Sequence, residues 1–215
     1  MLKVEQLKKI SQGTVKDIYL HPEDATKLIK LIKPELVDGK GCFIKHGTLK
    51  GNYQQGIYRQ FRREILQYLQ LCKNGYAQKN YVFPIETPYG FIATDQGLGL
   101  VTERIQDTDG QSLTLEVLAK KRMLEDKHLQ ALARFFDDCV RLHVVFGEVN
   151  DAGLIYTESR NGRPEFVLVD GIGEKLLIPM RSMFASVNAR YIRKVQQRIH
   201  AQIAEIERSK AARTS

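Results

Sequence analysis

Two charged residues in this chain lie where an apolar neighbour would be expected. Lys30 sits inside the run Leu28-Ile29-Lys30-Leu31-Ile32, and Glu64 sits within a stretch whose apolar residues recur at helical spacing. By period-2 alternation Lys30 shares a strand face with Leu28 and Ile32, while Ile29 and Leu31 point the other way. A helix is expected from about Tyr58 to Cys72, with Phe61, Ile65, Tyr68, Leu69 and Cys72 on its apolar face and Glu64 on or beside it. A strand lysine taken alone reads as a solvated edge residue. A carboxylate on an apolar face, however, needs a cation, because burying it unpaired is costly.

The surrounding elements follow from local signals. Residues 7–33 read as a short antiparallel sheet, with β-rich stretches at Ile18–Leu20 and Leu28–Ile32 separated by the turn-forming Pro22-Glu23-Asp24. Residues 38–56, rich in Gly and Lys, read as a loop. Residues 90–105 read as a hairpin turning near Gln96-Gly97, followed by a polar connector, QDTDGQSLTLE. A second amphipathic helix is expected from about Lys127 to Val145, aligning Leu132, Phe136, Val140 and His143, the last as a core histidine. A second hairpin joins Leu154–Tyr156 to Glu165–Val169 through the turn pair Asn161-Gly162. The remainder reads as largely helical, with a basic final stretch from Ala189 to Lys210.

Composition excludes some classes and leaves others. At 215 residues, 43% hydrophobic and 27% charged, the chain suits one domain or two small lobes rather than a disordered segment. Cys42, Cys72 and Cys139 are an odd number at irregular spacing, which suggests buried thiols rather than disulfides or a zinc knuckle. No apolar leader and no membrane-length apolar run is present, so a cytoplasmic location is expected. The net charge of +8 favours an anionic partner. Nucleic acid is one such partner, through Lys40, Lys45 and Lys50, but sparse aromatics and the lack of a recognised motif argue against it.

Asp170 ends the apolar run Phe166-Val167-Leu168-Val169 and opens Asp170-Gly171-Ile172-Gly173. An acidic side chain followed by glycines can hold a metal bound to phosphate, or can simply begin a tight turn. With the stretches YLHPEDATKLIKLI, FRREILQYL, DTDGQSLTL and VLVDGIGEKLLIP, the chain resembles the YrbL family, bacterial proteins of the PhoP regulatory network. That family in turn is similar to divergent protein kinases. The resemblance implies an α+β, protein-kinase-like two-lobed fold with a reduced C-terminal lobe. Residues 1–105 would form an N-lobe of sheet plus one helix, and residues 106–215 a mainly helical C-lobe with a catalytic-loop hairpin. The hinge would fall near Glu103–Ile105.

The resemblance also implies ATP and Mg²⁺ as cofactors and assigns roles one residue at a time. Lys30 matches the phosphate-binding lysine and Glu64 its helix partner. Asp170 matches the metal-binding aspartate, with Gly173 one residue past the usual glycine. Leu28 and Ile18 match adenine-facing and loop-flanking apolar positions, and Glu103 lies at the hinge. The glycine-rich loop falls on Ser11, Gly13 and Lys16, so only Gly13 remains, and Lys16 reads as an exposed loop lysine. Glu148 occupies the position of the catalytic aspartate, and Gly153 that of the metal-binding asparagine. Asn150 or Asp151 could stand in for that asparagine, or could form an ordinary turn before a strand. Two functions follow from this pattern: an ATP-dependent phosphotransferase acting on an unidentified hydroxyl acceptor, or a pseudokinase regulating a bacterial stress-response network without catalysis.

Overall fold

The computed structural model describes residues 1–44, 55–147, 149–174 and 179–211. These residues form two compact units that are not consecutive halves of the chain. One comprises Met1–Ile65 and Thr87–Arg104, the other Leu66–Glu86 and Ile105–Ser215.

The first unit is built on an antiparallel sheet. Strands β1 (Lys9–Gln12), β2 (Lys16–Leu20), β3 (Lys27–Ile32), β4 (Pro88–Thr94) and β5 (Gly97–Glu103) lie in the order β1-β2-β3-β5-β4. Both expected hairpins form. Asp24 fixes the first: its carboxylate accepts the Thr26 N–H at 2.9 Å and pairs with Lys27 at 2.9 Å. Those hydrogen bonds, from the Thr26 hydroxyl above all, hold the Asp24 carboxyl well below the usual carboxylate range.

Alternation along the strands divides the sheet into two faces. Tyr19, Ile29, Leu31 and Val101 pack with Val4 on one side. Ile32 and Leu100 pack on the other with Ile57 and Phe61, the latter from helix α1 (Arg59–Asn74). Gly99 shows how closely the first face is filled, because a Cβ there would lie 2.7 Å from Ile29 Cγ2.

The second unit gathers the rest of α1, β6 (Leu113–Thr114), α2 (Leu115–Lys120), α3 (Asp126–Arg141), β7 (Leu154–Thr157), β8 (Glu165–Leu168), the short α4 (Met180–Met183) and α5 (Ala185–Ala211). Strands β6, β7 and β8 form a small antiparallel sheet. Leu132 and Phe136 of α3, Tyr156 and Phe166 of the sheet, and Ile192 and Ile199 of α5 share one buried core.

Several local expectations are corrected. On α1, Leu69 is 55% exposed and Leu71 is buried instead, because the buried positions are 61, 64, 67 and 71, while Ile65, Tyr68 and Cys72 are half-buried. Helix α3 stops at Arg141, and His143 lies beyond it with φ +57°. His143 is therefore not on the helix face; it is half-buried and its Nε2 lies 2.7 Å from the Arg181 carbonyl oxygen. The β7–β8 connection is the loop Glu158–Pro164, which contains the expected Asn161-Gly162 pair, with Gly162 at φ +64°. Of the cysteines only Cys139 is fully buried, while Cys42 and Cys72 are half-buried, and all three are free thiols. Of the expected 38–56 loop, residues 45–54, including Lys45 and Lys50, lie outside the described residues.

Candidate phosphate and metal site

Lys30 lies in the middle of β3, paired with Ile18 on β2 and with Leu100 on β5. Cross-strand partners in an antiparallel sheet share a face. This face also carries Lys16, because Lys16 pairs with Ile32, two residues from Lys30. Helix α1 covers the same face through Phe61 and Ile65, and the intervening turn positions Glu64. The Lys16 ammonium donates to Glu64 Oε1 at 2.8 Å, and the Lys30 ammonium lies 3.6 Å from Oε2. Lys16, Lys30 and Glu64 are only 8%, 3% and 6% exposed.

The expected pair of Lys30 and Glu64 is thus brought together, but Glu64 has a second and closer cation. Lys16 is not an exposed loop lysine. It is the first residue of β2, and the loop ends one residue earlier. Strand alternation carried a signal for this, since Lys16, Ile18 and Leu20 are related by period two and Ile18 faces Lys30.

The neighbouring expected residues occupy the same sheet. Ile18 and Leu28 are half-buried on the Lys30 face, and Leu28 pairs with Thr102. Thr102, which the sequence did not single out, is 1% exposed. Gly13 closes the β1–β2 turn by donating its N–H to the Lys16 carbonyl at 2.7 Å. Its backbone is not left-handed, and a Cβ there would meet only the Lys16 carbonyl oxygen, at an ordinary 3.5 Å. Glu103 ends β5, and its Oε2 accepts the Thr87 N–H at 3.2 Å.

In the second unit, Asp170 is exposed and follows β8. It precedes Gly171 and Gly173, whose φ values of +76° and +86° belong to the region where glycine is strongly favoured. Gly153 adjoins it: a Cβ on Gly153 would lie 3.8 Å from Asp170 Cβ and 3.1 Å from Asn150 Oδ1. Asn150 Oδ1 accepts the Gly153 N–H at 2.8 Å, capping a short 3-10 turn over Asp151–Gly153. The ordinary-turn reading of Asn150 is the one the geometry displays. Glu148 lies outside the described residues. Among the described residues, no group of three or more His, Cys, Asp or Glu is placed to hold a metal ion.

The segment leading to Glu148 is held through its backbone. Asn188 Nδ2 donates to the Val144 carbonyl at 2.9 Å, Gly173 N–H to that of Val145 at 2.9 Å, and Arg181 to that of Phe146 at 3.0 Å. The Tyr191 hydroxyl and Arg198 take the carbonyls of Gly147 and Val149. Arg181 is itself buried, pairs with Glu174 and stacks over Tyr191 at 4.3 Å. Phe146 and Ile172 form an antiparallel bridge, which ties this segment to the Asp170-Gly171-Ile172-Gly173 turn. Sequence reasoning missed Arg181 and Tyr191, because neither lies within a motif; only folding brings them to this backbone.

Residues 2–204 match the family described as PhoP regulatory network protein YrbL, and the chain belongs to that family. YrbL of Escherichia coli (strain K12) is 25% identical over 187 residues, which cover 84% of this chain and 77% of that protein. YrbL of Shigella flexneri matches to the same extent. Among solved structures, the chain is similar to a Rio2 kinase from Chaetomium thermophilum, crystallised as an ADP/Mg²⁺-phosphoaspartate complex. That likeness has 14% identity and a TM-score of 0.45, and covers 88% of this chain. The chain matches about half of the Rio2 chain, 54% of its length. Among the described residues no helix is long and apolar enough to cross a membrane.

Proposed function

We propose that this chain binds Mg-ATP as a kinase-like member of the PhoP network and that its capacity for phosphoryl transfer is low. The observation that carries the reading is the buried cluster in which Lys16 and Lys30 face Glu64. Two buried ammonium groups side by side on one sheet face suit phosphate oxygens, and the half-buried Ile18 and Leu28 on the same face suit an apolar base. Lys30 would meet phosphate while Glu64 holds its ammonium. Asp170 would hold Mg²⁺, an ion that keeps several waters and takes its other ligands from phosphate, so a single carboxylate fits it. Glu103, at the end of β5, and Gly13, in the β1–β2 turn, are proposed to line the nucleotide.

Thermal unfolding with ATP, with and without Mg²⁺, tests this. A ligand at about 100 times its Kd stabilises the native state by about 2.7 kcal/mol, so a clear rise in Tm is expected, larger when Mg²⁺ is present. An unchanged Tm with both present would reject nucleotide binding.

A second reading, a pseudokinase regulating another protein, is favoured by Gly153. Glycine offers no side-chain ligand beside Asp170, and the Asn150 side-chain oxygen is already engaged with the Gly153 N–H. The two readings separate on turnover. Tight Mg-ATP binding without loss of ATP, across protein and small hydroxyl acceptors, selects the pseudokinase. Time-dependent transfer of the γ-phosphoryl group to an acceptor selects the phosphotransferase.

A further inference from the structure

Residues 180–187 of the second unit carry an apolar stripe that faces outward. Met180, Met183, Phe184 and Val187 recur at the i, i+3, i+4, i+7 spacing that ordinarily marks a core-facing stripe. All four are nevertheless exposed, Met183 to 62% and Phe184 to 46%. The residues beside them explain the orientation. Arg181 is buried, donates to the Phe146 carbonyl at 3.0 Å and stacks over Tyr191. Asn188 is buried as well and donates to the Val144 carbonyl at 2.9 Å. These two polar anchors turn one side of α4 and of the start of α5 inward and fix the apolar side outward.

Cations continue the stripe. On α5 the positions 187, 190 and 194 share a face, turned away from the buried Ile192, Val195 and Ile199. Arg190 and Lys194 are exposed there. Between Glu174 and Glu205 the sequence holds no Asp or Glu. An apolar patch continued by cations selects its occupant. A second copy of the chain would set like charges against each other. A nucleic acid would meet the cations, but methionine and valine give its bases no stacking surface. A bilayer with anionic headgroups satisfies both parts, because apolar side chains enter the acyl boundary while arginine and lysine remain at the phosphates.

We propose that this face, from Met180 to Lys194, docks the chain on an anionic lipid surface. The contact is peripheral, since among the described residues no helix is long and apolar enough to cross a membrane.

The chain contains no tryptophan, so Phe184→Trp places a single indole reporter in the patch of the full chain. With vesicles of phosphatidylglycerol and phosphatidylethanolamine its emission is expected to shift to the blue and to be quenched by brominated acyl chains. With phosphatidylcholine vesicles neither change is expected. Co-sedimentation with the anionic vesicles separates the parts of the surface, with folding checked by circular dichroism. Met183→Ser combined with Phe184→Ser is expected to weaken binding by about tenfold or more. Arg190→Ala combined with Lys194→Ala removes two cations from the lipid surface and is expected to weaken it by about thirtyfold. Lys3→Ala combined with Lys8→Ala removes the same charge from exposed positions elsewhere and is expected to change it little. Equal losses in the two charge pairs would mean that net charge alone attracts the vesicles. Undiminished binding of the serine pair would mean that nothing inserts, and either result overturns the proposal. So does a chain that stays in the supernatant with anionic vesicles. Self-association that the serine pair abolishes, without vesicle binding, would give the face to a second copy instead.

Discussion

A carboxylate shared by two buried ammonium groups is an unequal partnership. Removing Glu64 leaves both lysines inside without their common counter-charge, whereas removing Lys30 leaves Glu64 still hydrogen-bonded to Lys16. Breaking a buried pair from one side costs about 3–5 kcal/mol, because the remaining charge stays buried without its partner. Glu64→Ala is therefore expected to lower the unfolding free energy by about 3–5 kcal/mol, and Lys30→Met by less, because Lys16 stays bonded to Glu64. Urea denaturation of both variants checks this, and equal losses would mean that Glu64 is not the shared partner. Lys30 and Glu64 were legible in the sequence because each interrupts an apolar pattern. Lys16 was less so, because it opens its strand beside a polar loop and nothing apolar precedes it except Val15. Asp170 was legible as an acidic turn residue, but its proximity to Gly153 depends on a long-range hydrogen bond from Val169 N–H to the Gly153 carbonyl, 2.9 Å long.

Elements were more legible than their ends. Period-2 and helical spacing located β2, β3, α1, α3 and the three hairpins, since those patterns record which face is buried. The end of α3 was not located, because apolar residues continue through Val144 and Val145 while His143 turns the chain at positive φ. The start of α3 carries a pH-sensitive device. His128 Nδ1 accepts the Glu125 N–H at 2.9 Å, and the ring packs edge-on against Tyr156 at 4.4 Å. Burial first, and then the Lys127 charge, hold the His128 pKa below the ordinary histidine value, against the smaller opposing pull of Glu125 and Glu158. The native state thus binds fewer protons here than the unfolded state. The stabilising contribution is fully present above the unfolded pKa of about 6.5 and is lost as pH falls through the lower native value. Unfolding free energy is expected to be level near pH 7.5 and to decline from pH 6.5 towards pH 5, with the slope reduced in His128→Gln. An unchanged slope in that variant would place the titrating group elsewhere.

For the molecule as a whole, the net charge of +8 and the buried lysine cluster make separate claims on anions. Surface charge attracts any polyanion and is screened within about 8 Å at physiological salt, whereas buried groups are screened much less. Raising salt to 0.5 M is expected to abolish any binding of generic single-stranded DNA while preserving most of the Tm increase from Mg-ATP. Loss of both together would point to a surface effect alone. By itself, the sequence determined the alternation of strand and helix, the family, and the identity of the ion pair between Lys30 and Glu64. Each of these is written in the spacing of apolar residues or in short contiguous stretches. Tertiary structure decided that Lys16 joins the pair, that Gly153 adjoins Asp170, and that Asn188, Arg181, Tyr191 and Arg198 hold the backbone before and after Glu148. Those contacts join residues dozens of positions apart, and strand register and helix packing set them rather than any local pattern.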